Sequence, residues 1–90
     1  MASFTGTDTH FAHNLKLLRH FFNYEISYVA AKLNVNSERY RHWEKGKQFP
    51  NHPAYYVCVC KLYNFTALMD IFTKKLDETD LLKFYNATDL

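Results

Sequence analysis

The sequence predicts a single all-α domain, and three observations carry that expectation. The chain has 90 residues, enough for one compact core and little else. It contains only two Gly and two Pro, too few turn-formers for a sandwich or barrel of many short strands. From Phe11 onward, apolar residues recur at helical spacing: Phe11, Leu15, Leu18 and Phe22 lie four, three and four apart, on one helical face. The 18% aromatic share supplies the core volume, since each ring buries roughly 150–250 Å².

The elements follow in order. Residues 1–9 are small and polar without periodicity and are expected to form a flexible arm. A first helix is predicted over 10–22, with Leu17 and Phe21 widening its apolar face. Asn23-Tyr24-Glu25 interrupts the pattern. Val29, Ala30 and Leu33 then mark a second helix over 26–33. Asn34 tolerates the left-handed conformation that ends a helix tightly, and Val35 supplies an apolar plug. Asn36 is a good N-cap for a third helix over 37–45, although Arg39 rather than Glu or Gln follows three residues later, so no capping box forms. Tyr40 and Trp43 share one face of that helix, and Gly46 terminates it. A loop punctuated by Pro50 and Pro53 leads to a fourth helix over 53–63, with Val57, Cys60 and Leu62 or Tyr63 inward. Thr66 caps a fifth helix over 67–76, with Leu68, Ile71, Phe72 and the Lys75 stem facing the core. Asp77 to Asp80 forms an acidic break, and Leu81, Leu82, Phe84 and Tyr85 give a tail or short sixth helix within 77–90. The expected organisation is an arm at 1–9, a domain at 10–76 and a C-terminal tail or helix at 77–90.

The net charge is only +2, but it is unevenly spread. Residues 10–52 hold Lys16, Arg19, Lys32, Arg39, Arg41, Lys45 and Lys47 against Glu25, Glu38 and Glu44, together with all five histidines. The rest of the chain is slightly acidic. A positive field concentrated in the middle suits a polyanionic partner. Cys58 and Cys60 are two apart and point to different sides of a helix, so they are read as reduced core residues. There is no secretory signal and no apolar run long enough for a membrane span, which leads to the expectation of a cytoplasmic protein.

The informative unit is the second helix, the turn Asn34-Val35-Asn36 and the third helix. Small Ala30 lets two helices approach, the turn accepts a positive φ, and Val35, Tyr40 and Trp43 fix the angle between them. These are the physical requirements of a helix-turn-helix. The third helix then presents Ser37, Glu38, Arg41 and His42 outward, with Asn36, Arg39 and Lys45 at its flanks and Lys47 just beyond. Such an arrangement fits a major groove, where Arg reads guanine, Glu accepts from cytosine, and His or Ser serves several base edges.

Asn14-Leu15-Lys16-Leu17-Leu18-Arg19, Val29-Ala30-Ala31-Lys32-Leu33-Asn34-Val35 and Tyr40-Arg41-His42-Trp43-Glu44-Lys45-Gly46-Lys47, followed by Pro50, resemble the lambda-repressor-like, Cro/XRE type of helix-turn-helix domain. The similarity runs from Phe11 to Phe72. It implies a five-helix domain, here with a short sixth helix, that binds double-stranded DNA as a transcription regulator. It implies base reading by Ser37, Glu38 and His42, phosphate contacts at Lys45, Gly46 and Lys47, and a structural ion pair between Arg19 and Glu44. The sequence departs from the family pattern at Asn34, where Gly is usual. It departs also at Ile26, where a polar DNA-contacting Gln is common, and at Glu25, where a Ser, Thr or Asn cap is usual.

Competing readings are weaker. Tyr40 and Trp43 are expected in the core rather than as base-stacking platforms. His10 and His13 have metal-ligand spacing, but two ligands are too few for a structural zinc site, so neither a metal nor another cofactor is expected. No phosphate-binding Gly-rich loop, nucleophile elbow or HExxH motif is present, and no catalytic residue is assigned. The expected function is therefore duplex DNA binding, as a homodimer because one short recognition helix reads too few base pairs for a unique site. The alternative is an antitoxin-like or regulatory module of the same fold that binds a protein partner and has weak or lost DNA binding; Glu25, Ile26 and the low net charge favour it.

Overall fold

The computed structural model describes residues 2–66 and 70–89, with side chains for 10–66, 70–71 and 73–86. The described residues form six helices: α1 (Ala2–Phe21), α2 (Ile26–Lys32), α3 (Ser37–Lys45), α4 (Ala54–Leu62), α5 (Asp70–Thr73) and α6 (Glu78–Asp89). The protein is all-α. The Cα radius of gyration is 12.6 Å, against about 12 Å for a compact chain of this length. No helix among the described residues is long and apolar enough to cross a membrane.

α1 is the organising element. Phe11, Ala12, Asn14, Leu15 and Leu18 are buried along one side of it, and α3, α5 and α6 pack around it. The arm expected at 1–9 is instead helical from Ala2. That stretch has no Pro and a single Gly, so nothing in it stops a helix. Once packing has nucleated the turn at Phe11–Leu18, each further residue adds one backbone bond at little cost.

Four helices end in the same way. α1, α2 and α4 each pass into an Asn with positive φ: Asn23 at 58°, Asn34 at 61° and Asn64 at 52°. α3 passes into Gly46 at 74°. Each end closes with a pair of reversed bonds, for example Val35 N–H to Ala30 C=O at 3.0 Å with Asn34 N–H to Ala31 C=O at 3.1 Å. This is the Schellman arrangement, and the residue after each Asn is apolar (Tyr24, Val35, Phe65) and folds back toward the core. A chain with two glycines thus uses asparagine, the non-glycine residue best suited to left-handed backbone.

The second half departs from expectation in three places. α4 buries Val59 and Cys60, and Tyr63 is buried at its C-terminal cap, whereas Val57 is 43% exposed. The segment Ala54–Leu62 is apolar nearly all round, so spacing did not select a face. α5 ends at Thr73, Lys75 is exposed, and Leu76 occupies the core place expected for the lysine stem. The cause is Asn14, fully buried on α1. Its amide donates to the carbonyls of Ile71 (3.0 Å) and Lys74 (2.8 Å), and its oxygen accepts from Leu76 N–H (2.9 Å). These bonds satisfy the end of α5 and stop it. The expected start of that helix at 67, the inward place of Leu68 and the Phe72 side chain lie outside what the structure describes. Finally, the acidic break is a reciprocal cap. Asp77 Oδ1 accepts from Asp80 N–H (2.9 Å) and Asp80 Oδ2 accepts from Asp77 N–H (3.0 Å). It starts a twelve-residue α6, whose buried Leu81 and half-buried Phe84 and Tyr85 close over α1. Leu82, expected inward with them, is 47% exposed.

Candidate nucleic-acid interface

α2 and α3 are joined by Leu33, the left-handed Asn34, Val35 and the cap Asn36. Asn36 Oδ1 accepts from Arg39 N–H at 2.7 Å, which fixes the first turn of α3. Val29 and Ala30 are buried on α2, and Tyr40 and Trp43 are buried on α3. Both rings are at 0% exposure, so they belong to the core, as expected, and are closed to base stacking. Their burial orients the helix: Glu38, Arg41 and Lys45, three and four apart, form a continuous exposed stripe on its far side.

The orientation of α3 is braced by Arg19 on α1. Its Nε donates to Glu44 Oε2 at 2.6 Å and its Nη2 to Glu44 Oε1 at 3.1 Å, a bidentate pair with side-chain exposures of 12% and 6%. A third nitrogen, Nη1, donates to the Tyr24 carbonyl at 3.0 Å, tying in the turn before α2. The hydrogen bond to Glu44 outweighs the desolvation of Arg19 and pushes its pKa up. Burial, followed by the nearby Glu44 carboxylate, also raises the pKa of the Tyr40 and Tyr63 phenols, which stay protonated. One guanidinium therefore links α1, the α2 entry and α3 around the residues that set the face of α3.

The sequence-predicted site residues divide into three groups. Glu38, Arg41, Lys45 and Lys47 are exposed. Asn36 is exposed, and Ser37 and His42 are half-buried at the edges of the stripe. The His42 carbonyl also accepts from Lys47 N–H (3.0 Å) and Gln48 N–H (3.3 Å), which fixes the chain where Lys47 leaves the helix. Arg39 stands apart. Its guanidinium lies 5.9 Å from the ring centroids of both Trp43 and Tyr55 and donates to Asn51 Oδ1 at 3.3 Å. It holds the loop before α4 against α3, and so sits away from the Arg41–Lys45 stripe with which the sequence grouped it.

Lys16 was missed. It is exposed on α1 one turn before Arg19 and shares an open cleft of about 340 Å³ with Arg19, Ile26, Arg41, Glu44 and Lys45. The signal was available: once Arg19 is paired with Glu44, a residue three earlier on α1 faces the same side of α3. Glu25, the N-cap of α2, is exposed and makes no side-chain cap. Away from this region, His13 Nε2 lies 2.8 Å from the Leu76 carbonyl, within the α1–α5 junction. Cys58 is exposed and Cys60 buried, and burial pushes the Cys60 thiol pKa up. No protein-family model matches the chain, and no curated protein or solved structure is significantly similar to it.

Proposed function

We propose that the chain binds double-stranded DNA as a helix-turn-helix transcription regulator of the lambda-repressor-like kind, with α3 in the major groove. The single observation that carries this reading is the pairing of α2 and α3 through the short turn Leu33–Asn36 with Asn34 left-handed, with the apolar side of α3 fully buried and its polar side exposed and basic. Ser37, Glu38 and His42 face the bases in this reading, and Lys45 and Lys47 meet phosphates. A second copy supplies the other half-site, because nine residues of helix span only about 14 Å.

Selection of bound duplexes from a random DNA pool tests it. The reading expects enrichment of one sequence with two related half-sites. His42→Ala is expected to lose roughly 1–3 kcal/mol on that sequence and to relax preference at one base pair. Recovery of unenriched DNA would reject sequence-specific binding.

One observation favours the other reading, a regulatory module that binds protein. Glu25 and Ile26 put an exposed carboxylate and an apolar side chain at the start of α2, where a DNA backbone prefers N–H donors and cations. Under that reading the pool selection fails while the folded domain remains intact.

A further inference from the structure

Lys16 and Arg41 occupy the same cleft from different helices, and that placement gives Arg41 a different task from the base reading expected of it. The cleft is lined by Lys16 from α1, Ile26 from α2, and Arg41 and Lys45 from α3, together with the Arg19–Glu44 pair. The charges of that pair cancel within it, both carboxylate oxygens being taken by Arg19. Lys16, Arg41 and Lys45 remain, and none of them makes an ion pair among the described residues. Three like charges gathered in one cleft repel one another, and an entering anion relieves that repulsion. Arg41 offers a planar fork matched to phosphate oxygens, and the two lysines add compact charges that adjust to it. Ile26 contributes no polar group that would compete.

We infer that this cleft seats one phosphate group, held by Lys16, Arg41 and Lys45, and that the phosphate is a backbone phosphodiester of the bound duplex. α1 is then part of the DNA-contacting surface, and Arg41 is a backbone contact. The inference rests on the proposed duplex binding for the source of the phosphate; inorganic phosphate offers the same chemistry.

Two measurements on the full chain separate the possibilities. In the first, wild type, Lys16→Ala and Arg41→Ala are titrated with salt on a selected and on a random duplex. Each lost phosphate contact removes about 0.9 from the slope of log K against log salt, and a variant bound as two copies loses two, so the advantage of wild type over either variant shrinks about 12-fold between 50 and 200 mM salt. Both variants are expected to weaken the two duplexes by the same factor and to keep the base preference. Arg41→Lys, which keeps the charge, is expected to keep the slope. Both side chains are exposed, and matching urea midpoints confirm that the variants fold. Unchanged slopes in both variants, or loss of preference at one base pair in Arg41→Ala, overturn the inference while leaving duplex binding standing. In the second measurement, inorganic phosphate is titrated into ¹⁵N-labelled protein. If wild type binds no duplex, saturable shifts at Lys16, Arg41 and Lys45 that vanish in Lys16→Ala uphold the seat and assign it to free phosphate. Absence of both duplex binding and phosphate shifts rejects it.

Discussion

Glu44 is the residue on which the orientation of α3 turns. It takes two N–H groups from Arg19, and both side chains are largely removed from water. Removing one partner of such a pair strands the other charge, which costs roughly 3–5 kcal/mol when burial is complete. With 12% and 6% exposure remaining, the lower end applies, about 3 kcal/mol of a total on the order of 5–10 kcal/mol. Glu44→Ala is therefore expected to shift the urea midpoint strongly. Lys45→Ala, next to it but exposed and without an ion pair among the described residues, is expected to change stability by less than about 0.5 kcal/mol. Equal midpoints for the two variants would make Glu44 an ordinary surface carboxylate. The family resemblance pointed to this pair, and so did the place of each residue beside the apolar face of its helix, next to Leu18 and Trp43. Asn14 shows the opposite case. Nothing in its local spacing marks it as the cap of a helix 57 residues away, because that role exists only once α1 and α5 are packed.

At the scale of elements, the left-handed asparagines are the recurring device. A non-glycine residue in that conformation costs about 1–2 kcal/mol, and asparagine escapes much of it. Asn34→Ala is expected to destabilise the domain by about 1 kcal/mol, and Asn34→Gly to leave it unchanged or slightly more stable. Chemical denaturation of the two variants checks this; an Ala variant as stable as the Gly variant would mean that the turn does not hold its left-handed backbone. This local chemistry is why α3 was legible to the residue. Its cap at Asn36, its buried pair Tyr40 and Trp43, and its stop at Gly46 all lie within the segment itself. Elements were misjudged where the signal was absent or ambiguous. α4 is apolar on nearly every side, so no period selects the face that buries Val59 rather than Val57. The Asp77–Asp80 spacing is visible in the sequence, where the cluster reads as a charged break, although two aspartates three apart can cap a helix reciprocally.

For the whole molecule, the core holds its phenols in the protonated form. Burial, and in addition Glu44 charge, raises the pKa of Tyr40 and Tyr63 above the ordinary value of 10.0. The unfolded chain ionises these phenols above that pH and the native state does not. Stability is therefore complete below pH 10 and falls as pH rises beyond it, by about 1.4 kcal/mol per pH unit for each phenol. Tyr63→Phe is expected to make this alkaline loss shallower by that amount, read from urea unfolding between pH 9 and about 11.5; an unchanged slope would mean that the Tyr63 hydroxyl ionises as freely in the native state as in the unfolded one.

Under the proposed function, the same core presents α3 and the cations around it to a duplex. The arrangement of Arg41, Lys45 and Lys47 was readable because it lies within ten residues of sequence. The share of Lys16 was not, because it depends on α1 and α3 being neighbours. The most direct test of duplex binding is the salt dependence of wild-type affinity for the selected duplex and for a random one. Duplex binding predicts a linear fall of log K with log salt, with a slope of several units set by Lys16, Arg41, Lys45 and Lys47 in two copies. It also predicts at least about a thousandfold tighter binding of the selected sequence at physiological salt. Affinity for neither duplex at low salt, where even non-specific DNA binders reach at least about 10⁻⁴ M, would contradict it.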